Sequence, residues 1–310
     1  MKFLLNISLI ALTMLCACGQ EKTKEGKVVD TPTTGNIRLM ADEAYKPIVE
    51  TSIDVFDTQY VRAGIEAIYV SEGEAVKALV TDSIQVIIIS RQLTADELVY
   101  FSNRGFKPKT TPIAHDALAI IVHPDNPDTV FTMEQVRRLI NGEFTNWSAI
   151  NPKSKLGDVR LVFDNPTSGL VRYAKDSIAS GTLAPKASAL NINEEVIKYV
   201  SQQKNALGII GANWISDTDD KGAQQFLKDI QLVDVAREPG AEGFGPYQAY
   251  LATGDYPYKR TVYIIDAQAR IGLGQGFASF LAGDQGQRIM LKDGLLPAQA
   301  PTRLVKTSKE

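Results

Sequence analysis

The residues of this 310-residue chain best placed to do chemistry sit where short apolar runs give way to turns. Val159 to Phe163 is β-branched and aromatic, as a buried strand should be. Asp164 to Gly169 (DNPTSG) is dense in turn formers, and either Thr167 or Ser168 can cap a helix that starts next and runs on toward Tyr173. Free backbone N–H groups at such a helix start form a ready site for an anion. The plainer reading of the same stretch is a capped turn that binds nothing.

Three more turns of this kind precede it. The strand Ile37–Met40 ends in Ala41 to Tyr45, Ala67–Val70 in Ser71-Glu72-Gly73, and Val86–Ile89 in Ser90-Arg91. A helical pattern follows each one. The first runs from Tyr45 to about Phe56, with Asp42 as cap and Pro47 near the first turn. The second runs from Glu74 to Val80. The third runs from Ala95 to about Asn103, with Thr94 and Glu97 in capping-box spacing. Strand, turn and helix repeated three times is an α/β pattern, in which ligands sit beyond the carboxyl ends of the strands. Further on, Pro112 to Pro124 reads as a crossing strand running into a buried one. Thr132 caps a helix with Gln135 three residues later, Ile192 to Ser201 is helical, and Ala206 to Gly211 is a glycine-bounded apolar strand. Tyr263 to Asp266 reads as a strand and Ala267 to Leu281 as a helix.

The bulk numbers fit an ordinary globular protein of two domains, with 44% hydrophobic and 22% charged residues. A net charge of −3 and an isoelectric point near 5.6, with no basic cluster, argue against nucleic acid as a partner. The first residues read as a targeting segment: Lys2, an apolar run from Phe3 to Met14, then Leu15-Cys16-Ala17-Cys18. That ending resembles a bacterial lipobox, cut before Cys18 with lipid placed on its thiol. The simpler alternative is a secretory signal with two incidental cysteines. Lipidation leaves no free thiol, so cysteine catalysis and cysteine-based metal sites are excluded. Gly19 to Asn36 is polar and reads as a flexible tether.

Several runs, in order, resemble the phosphate-binding proteins that serve ABC transporters, members of the two-domain periplasmic binding proteins. They are Ser90 to Glu97, Ile113 to Val122, Phe131 to Ile150, Ser168-Gly169, Ala206 to Gly211, Tyr256-Pro257 before Arg260, and Gly286 to Pro297. The resemblance spans nearly all of residues 36–300. It implies an α/β, two-lobed fold of type II, each lobe a mainly parallel sheet flanked by helices, with two hinge crossings. After a signal peptide (1–17) and tether (18–35), residues 36–112 plus 247–310 would form lobe 1 and 113–246 lobe 2. The Gly/Pro-rich stretch Glu238 to Pro246 would carry the second crossing. The implied protein is an extracytoplasmic solute-binding protein, held in the bacterial cell envelope by its lipid anchor. It would work with an ABC permease, bind phosphate or another small ligand between the lobes, and need no cofactor.

The implied ligand-binding residues are Asp42, Glu43, Tyr45, Ser71, Glu72, Ser90, Arg91, Asn165, Thr167, Ser168 and Gly169. Here the chain departs from its family. Asp42 and Glu43 stand where small or hydroxylated residues are usual, and Glu72 stands within a Gly-Ser-Gly type turn. Asp164 takes the place of an arginine and Leu170 that of a threonine. Ionised carboxylates only accept hydrogen bonds and repel phosphate. The choices are that they face solvent, that they pair with Arg91 and Arg172, or that the chain is a divergent relative. Such a relative would bind another solute, for instance an amine-bearing one, or serve a sensory or surface role. Arg91 reads as a partner of Glu43 or Glu72. His115 and His123 lack metal-ligand spacing, so no metal is expected. Ser168, His115 and Asp116 can be named as a hydrolytic set, but no Gly-x-Ser-x-Gly elbow supports an enzyme.

Overall fold

The computed structural model describes residues 30–301. The signal segment, Cys18, most of the tether and the polar tail lie outside the described residues.

Alternation of strand and helix builds the first half. β1 (Gly35–Asp42) pairs in parallel with β2 (Ala63–Val70) and β3 (Val86–Ile89). Between them run α1 (Lys46–Gln59) and α2 (Glu72–Val80), and α3 (Ala95–Asn103) follows β3. The capping boxes are formed: Ser71 with Glu74 at α2, and Thr94 with Glu97 at α3. Asp42 caps a short 3₁₀ turn, Glu43–Tyr45, ahead of α1, instead of capping α1 itself. That turn directs Glu43 toward the opposite half of the molecule.

β4 (Lys109–Val122) is one unbroken strand, and the fold turns on it. It is followed by β5 (Val130–Thr132), α4 (Met133–Ile140) with the expected Thr132–Gln135 box, and β6 (Arg160–Phe163). Helix α5 (Gly169–Tyr173) continues as a π-helical turn, Ala174–Ile178. Then come β7 (Ser188–Ala189), α6 (Asn193–Gln202), β8 (Ala206–Gly211) and α7 (Lys221–Asp229). β9 (Gln231–Leu232), β10 (Asp234–Ala236), β11 (Gly243–Phe244) and α8 (Gln248–Thr253) lead into β12 (Lys259–Asp266). α9 (Leu273–Ala282), α10 (Asp284–Lys292) and β13 (Leu296–Pro297) complete the described chain. The helix expected from Ala267 begins only at Leu273, and extended backbone at Gly283 separates it from α10.

Neighbouring strands run in the order β2-β1-β3-β12-β4-β8-β6-β7. Residues 109–117 of β4 lie antiparallel to β12, and residues 118–122 lie antiparallel to β8. One strand therefore serves two half-sheets, each with its own core. Ile113 and Ala114 pack with α1, α9 and α10 around Phe56 and Phe277. Ala117 to Val122 pack in the second core with Trp147, Ile209 and Val196. A smaller cluster under α2 and α3 covers the other face of the first sheet. Glu238 to Pro246 does not lead out of the second core. Val235 pairs with Phe244 in a hairpin, and Leu251, Tyr256 and Tyr258 stay in that core. The chain returns along β12, whose Val262 and Ile264 belong to the first core.

Phe56 anchors that first core through edge-to-face contacts with Phe277 and Phe280, each with ring centroids 5.2 Å apart. Phe56→Ala is expected to cost about 3–5 kcal/mol, as cavity-forming aromatic truncations do. Val61→Ala, at an exposed position, should stay within about 0.5 kcal/mol. Urea denaturation followed by circular dichroism measures both.

Candidate functional site

The turns at the ends of β1, β2, β3 and β6 face one another across the seam between the cores, as the carboxyl-end rule requires. The seam is shut by direct contacts. Asp42 accepts from the Ala44 N–H at 3.1 Å with Oδ1 and from the Gly169 N–H at 2.7 Å with Oδ2. Glu72 Oε2 accepts from Ser90 N–H at 3.0 Å and from Ser90 Oγ at 2.7 Å. Its Oε1 accepts from Arg172 Nε, and the Arg172 Nη2 also donates to Ser90 Oγ at 3.0 Å. Glu43 Oε2 accepts from the backbone N–H of Asn193 at 3.1 Å and from its side-chain amide at 2.6 Å. Thr167 Oγ1 bonds Ser71 Oγ at 2.8 Å, and the Gly73 N–H donates to Thr167 O. Ser168, not Thr167, caps α5 through the Val171 N–H, and its Oγ donates to Asp164 at 2.6 Å.

Gly169 stands at the focus of these groups. A Cβ there would press on Ser90 Oγ and lie 2.7 Å from Asp42 Oδ2 and 2.8 Å from Glu72 Oε2. Only a residue without a side chain lets the two halves approach this closely.

The carboxylates are buried, and their protonation follows from their partners. Burial and the neighbouring Glu72 push Asp42 up to about 7. Burial and the charge of Asp42 push Asp164 up to about 8. Glu43 is also raised, chiefly by burial, with the Asn193 amide opposing. Glu72 goes the other way: burial would raise it, but Arg172 and Ser90 together hold it below the ordinary value. Glu72 is thus the fixed anion of the seam, while Asp42 and Asp164 exchange protons near neutrality.

The other expected site residues divide clearly. Tyr45 is fully buried in the first core beneath the Arg260 guanidinium, 5.4 Å from its ring centre, with a hydroxyl that has no hydrogen-bond partner among the described residues and that lies within reach of the charges of Asp42 and Glu72. Arg91 forms two 2.7 Å hydrogen bonds to Glu97 and lies 3.4 Å from Glu72, so its main partner is a residue of its own helix cap; it does not pair with Glu43. Asn165 folds its side chain back onto Thr167 and shapes the turn. Ser168, His115 and Asp116 are each engaged elsewhere: Ser168 with Asp164, His115 with Thr261, and Asp116 with Arg260 at 2.6 Å. Arg260 and Asp116 are register partners on β12 and β4, so this buried pair clips the two strands that join the cores.

Two seam residues were not singled out as ligands from the sequence. Arg172 lies one turn beyond the cap, where helix geometry brings it back over the turn. Asn193 opens α6 and also accepts from the Gly211 N–H at 3.0 Å. Nothing in its local sequence distinguishes it from any other polar residue at a helix start. Among the described residues, no group of three or more histidine, cysteine or acidic side chains could hold a metal ion, and no helix is long and apolar enough to cross a membrane.

The profile of the PBP superfamily domain matches residues 28–285. The chain belongs to the PBP superfamily. A phosphate-binding protein PstS of Pseudomonas aeruginosa is 26% identical over 289 residues, which cover 88% of this chain and 82% of that protein. The PstS of Borreliella burgdorferi is 22% identical, covering 95% and 98%. A Clostridium perfringens substrate-binding protein assigned to phosphate ABC transport, solved with bound phosphate, superposes with a TM-score of 0.71 at 19% identity. It covers 86% of this chain and 100% of that one. The superposition supports the two-lobed α/β fold.

Raised carboxyls fix the sign of a pH effect. Asp42 and Asp164 bind protons more tightly folded than unfolded, so between about pH 4 and 8 the native state holds the extra protons. Their contribution therefore favours folding at the acid end of that window and is lost as pH rises through the folded values. The melting temperature of the wild type minus that of Asp164→Asn should fall steadily between pH 5 and 8.5, as scanning calorimetry would record. A difference that is flat or rises with pH contradicts the assignment.

Proposed function

We propose that this PBP is a lipid-anchored extracytoplasmic solute-binding protein of the phosphate-transport type whose cleft no longer takes free phosphate. The observation that supports this is the state of the donors. An oxyanion in such a cleft needs N–H and O–H groups and often an arginine. Here Gly169 N–H, Ser90 N–H and Oγ, and Arg172 already donate to Asp42 and Glu72. The protein's own carboxylates stand where the oxygens of an anion would accept. The two lobes, divided at β4 and β12, close on this internal anion.

Phosphate itself is the second reading, favoured by the relatives, which are named phosphate-binding proteins. It is also favoured by the hydroxyls of Ser71, Ser90, Thr167 and Ser168, which remain at the seam. A phosphate receptor of this design would have to displace Asp42 and Glu72 from their donors on loading, and an ABC permease would be its partner.

Equilibrium dialysis of radiolabelled phosphate against residues 19–310 at pH 7.5 separates the two. The proposal expects no saturable binding up to about 1 mM, a standard free energy near −4 kcal/mol. It also expects measurable binding by the Asp42→Ser/Glu72→Ser double variant, which frees the donors and leaves Arg172 unpaired. Micromolar binding by the wild type supports the phosphate receptor. The anchor is tested separately: labelled fatty acid should enter the full-length chain in bacterial cells and be absent from Cys18→Ala.

A further inference from the structure

A second concavity, of about 400 Å³, lies beside the seam between α1 and α7. Its walls carry five carboxylates, Glu50, Asp54, Asp217, Asp220 and Asp293, against the single ammonium of Lys46. Acidic rims are common on protein surfaces and usually mean nothing more than solvation. Two buried polar groups distinguish this one. Asp293, 5% exposed, is hydrogen-bonded by the Thr51 side chain, but its Oδ1 has no hydrogen-bond partner among the described residues, and the exposed Lys292 is the cation beside it, 4.0 Å away. Trp214, 8% exposed, has an indole N–H that is likewise unmatched. A buried acceptor and a buried donor left open in one concavity each cost free energy unless something fills them.

We propose that this groove is a binding site for a small amine that also carries an oxygen acceptor, with its ammonium toward Asp293 and its oxygen toward the Trp214 indole. The chemistry excludes the obvious rival. No grouping of carboxylates here is close enough to coordinate a metal, whereas an alkylammonium needs only a diffuse negative field and apolar surface for its carbons. Trp214 and Phe226, 6.3 Å apart between ring centres, supply that surface. Burial, then the neighbouring Asp217, raises Asp293 to about 6, so it is ionised at neutral pH and lacks a full counter-charge. The groove spans both cores, because α1 belongs to the first and Trp214 to the second. An occupant would therefore touch both lobes without entering the seam. The inference stands apart from the reading of the seam, since it uses none of the same residues.

Titration of ¹⁵N-labelled residues 19–310 with ethanolamine tests it. The indole resonance of Trp214, assigned by its loss in Trp214→Phe, should shift with a saturable midpoint at or below about 10 mM. Asp293→Asn should weaken that midpoint tenfold or more, and Asp217→Asn less. Butane-1,4-diamine, which has no oxygen, should bind less tightly, and calcium chloride at equal concentration should leave the indole unmoved. A response to calcium matching that to the amine, an unaltered midpoint in Asp293→Asn, or no saturable shift would each overturn the proposal.

Discussion

The structure depends on how the carboxylate of Glu72 is kept charged out of water. A buried ion without compensation costs several kcal/mol. Glu72 is compensated from both halves of the molecule: by Ser90 at the end of β3 on its own side, and by Arg172 from α5 on the other. The pair is charge-assisted and two-sided, so separating the lobes would leave the Arg172 guanidinium without its carboxylate and Glu72 with only Ser90 and the Arg91 guanidinium 3.4 Å away. Asp42 adds the same logic with a backbone donor, since the Gly169 N–H at the start of α5 has no partner within its own helix. Closure of this protein is therefore built into its own side chains.

That arrangement also explains why the four acidic residues behave differently despite their proximity. Glu72 has a cation and stays ionised. Asp42 has two backbone donors but faces Glu72, and Asp164 has Ser168 but faces Asp42. Charge is thus concentrated on one carboxylate and relaxed by protonation on its neighbours, as expected when like charges share a poorly solvated space. Asn193 completes the set by giving amide hydrogens to Glu43 while its own oxygen caps Gly211. A neutral residue in that position avoids placing another charge in the seam.

Much of this was legible in the sequence because it rests on local rules. The capping boxes of Ser71, Thr94 and Thr132, the apolar strand Val86–Ile89 and the cap at Ser168 follow from spacing alone, and the carboxyl-end rule brought the right turns together. The alternative in which carboxylates pair with Arg172 was open and proves correct for Glu72. The rest depended on distance in the chain. Glu72 and Arg172 are a hundred residues apart, and no local pattern states which acid meets which base. Tyr45 was read only from its position in the turn, and its place under Arg260 in the first core depends on the 3₁₀ turn after Asp42, which spacing alone does not show. The stretch from Glu238 to Pro246 read as a linker from its glycines and prolines, whereas Gly243 and Phe244 within it pair antiparallel with Ala236 and Val235.

The consequence for ligands follows from tethering. A free oxyanion competing for Gly169 N–H and Arg172 faces acceptors held on the same chain, whose effective concentration far exceeds that of a dissolved solute. It would also strip Asp42 of the Gly169 donor and Glu72 of Arg172 in a space with little water, where like charges repel and desolvation is costly. Protonating Asp42 lowers only part of that barrier, because Glu72 is held below the ordinary carboxylate range and remains ionised beside it. Asp42 and Glu72 thus act together. Placing one carboxylate in an anion site would tune its selectivity, whereas two carboxylates that occupy its donors would, on the proposed reading, act as a clasp between lobes.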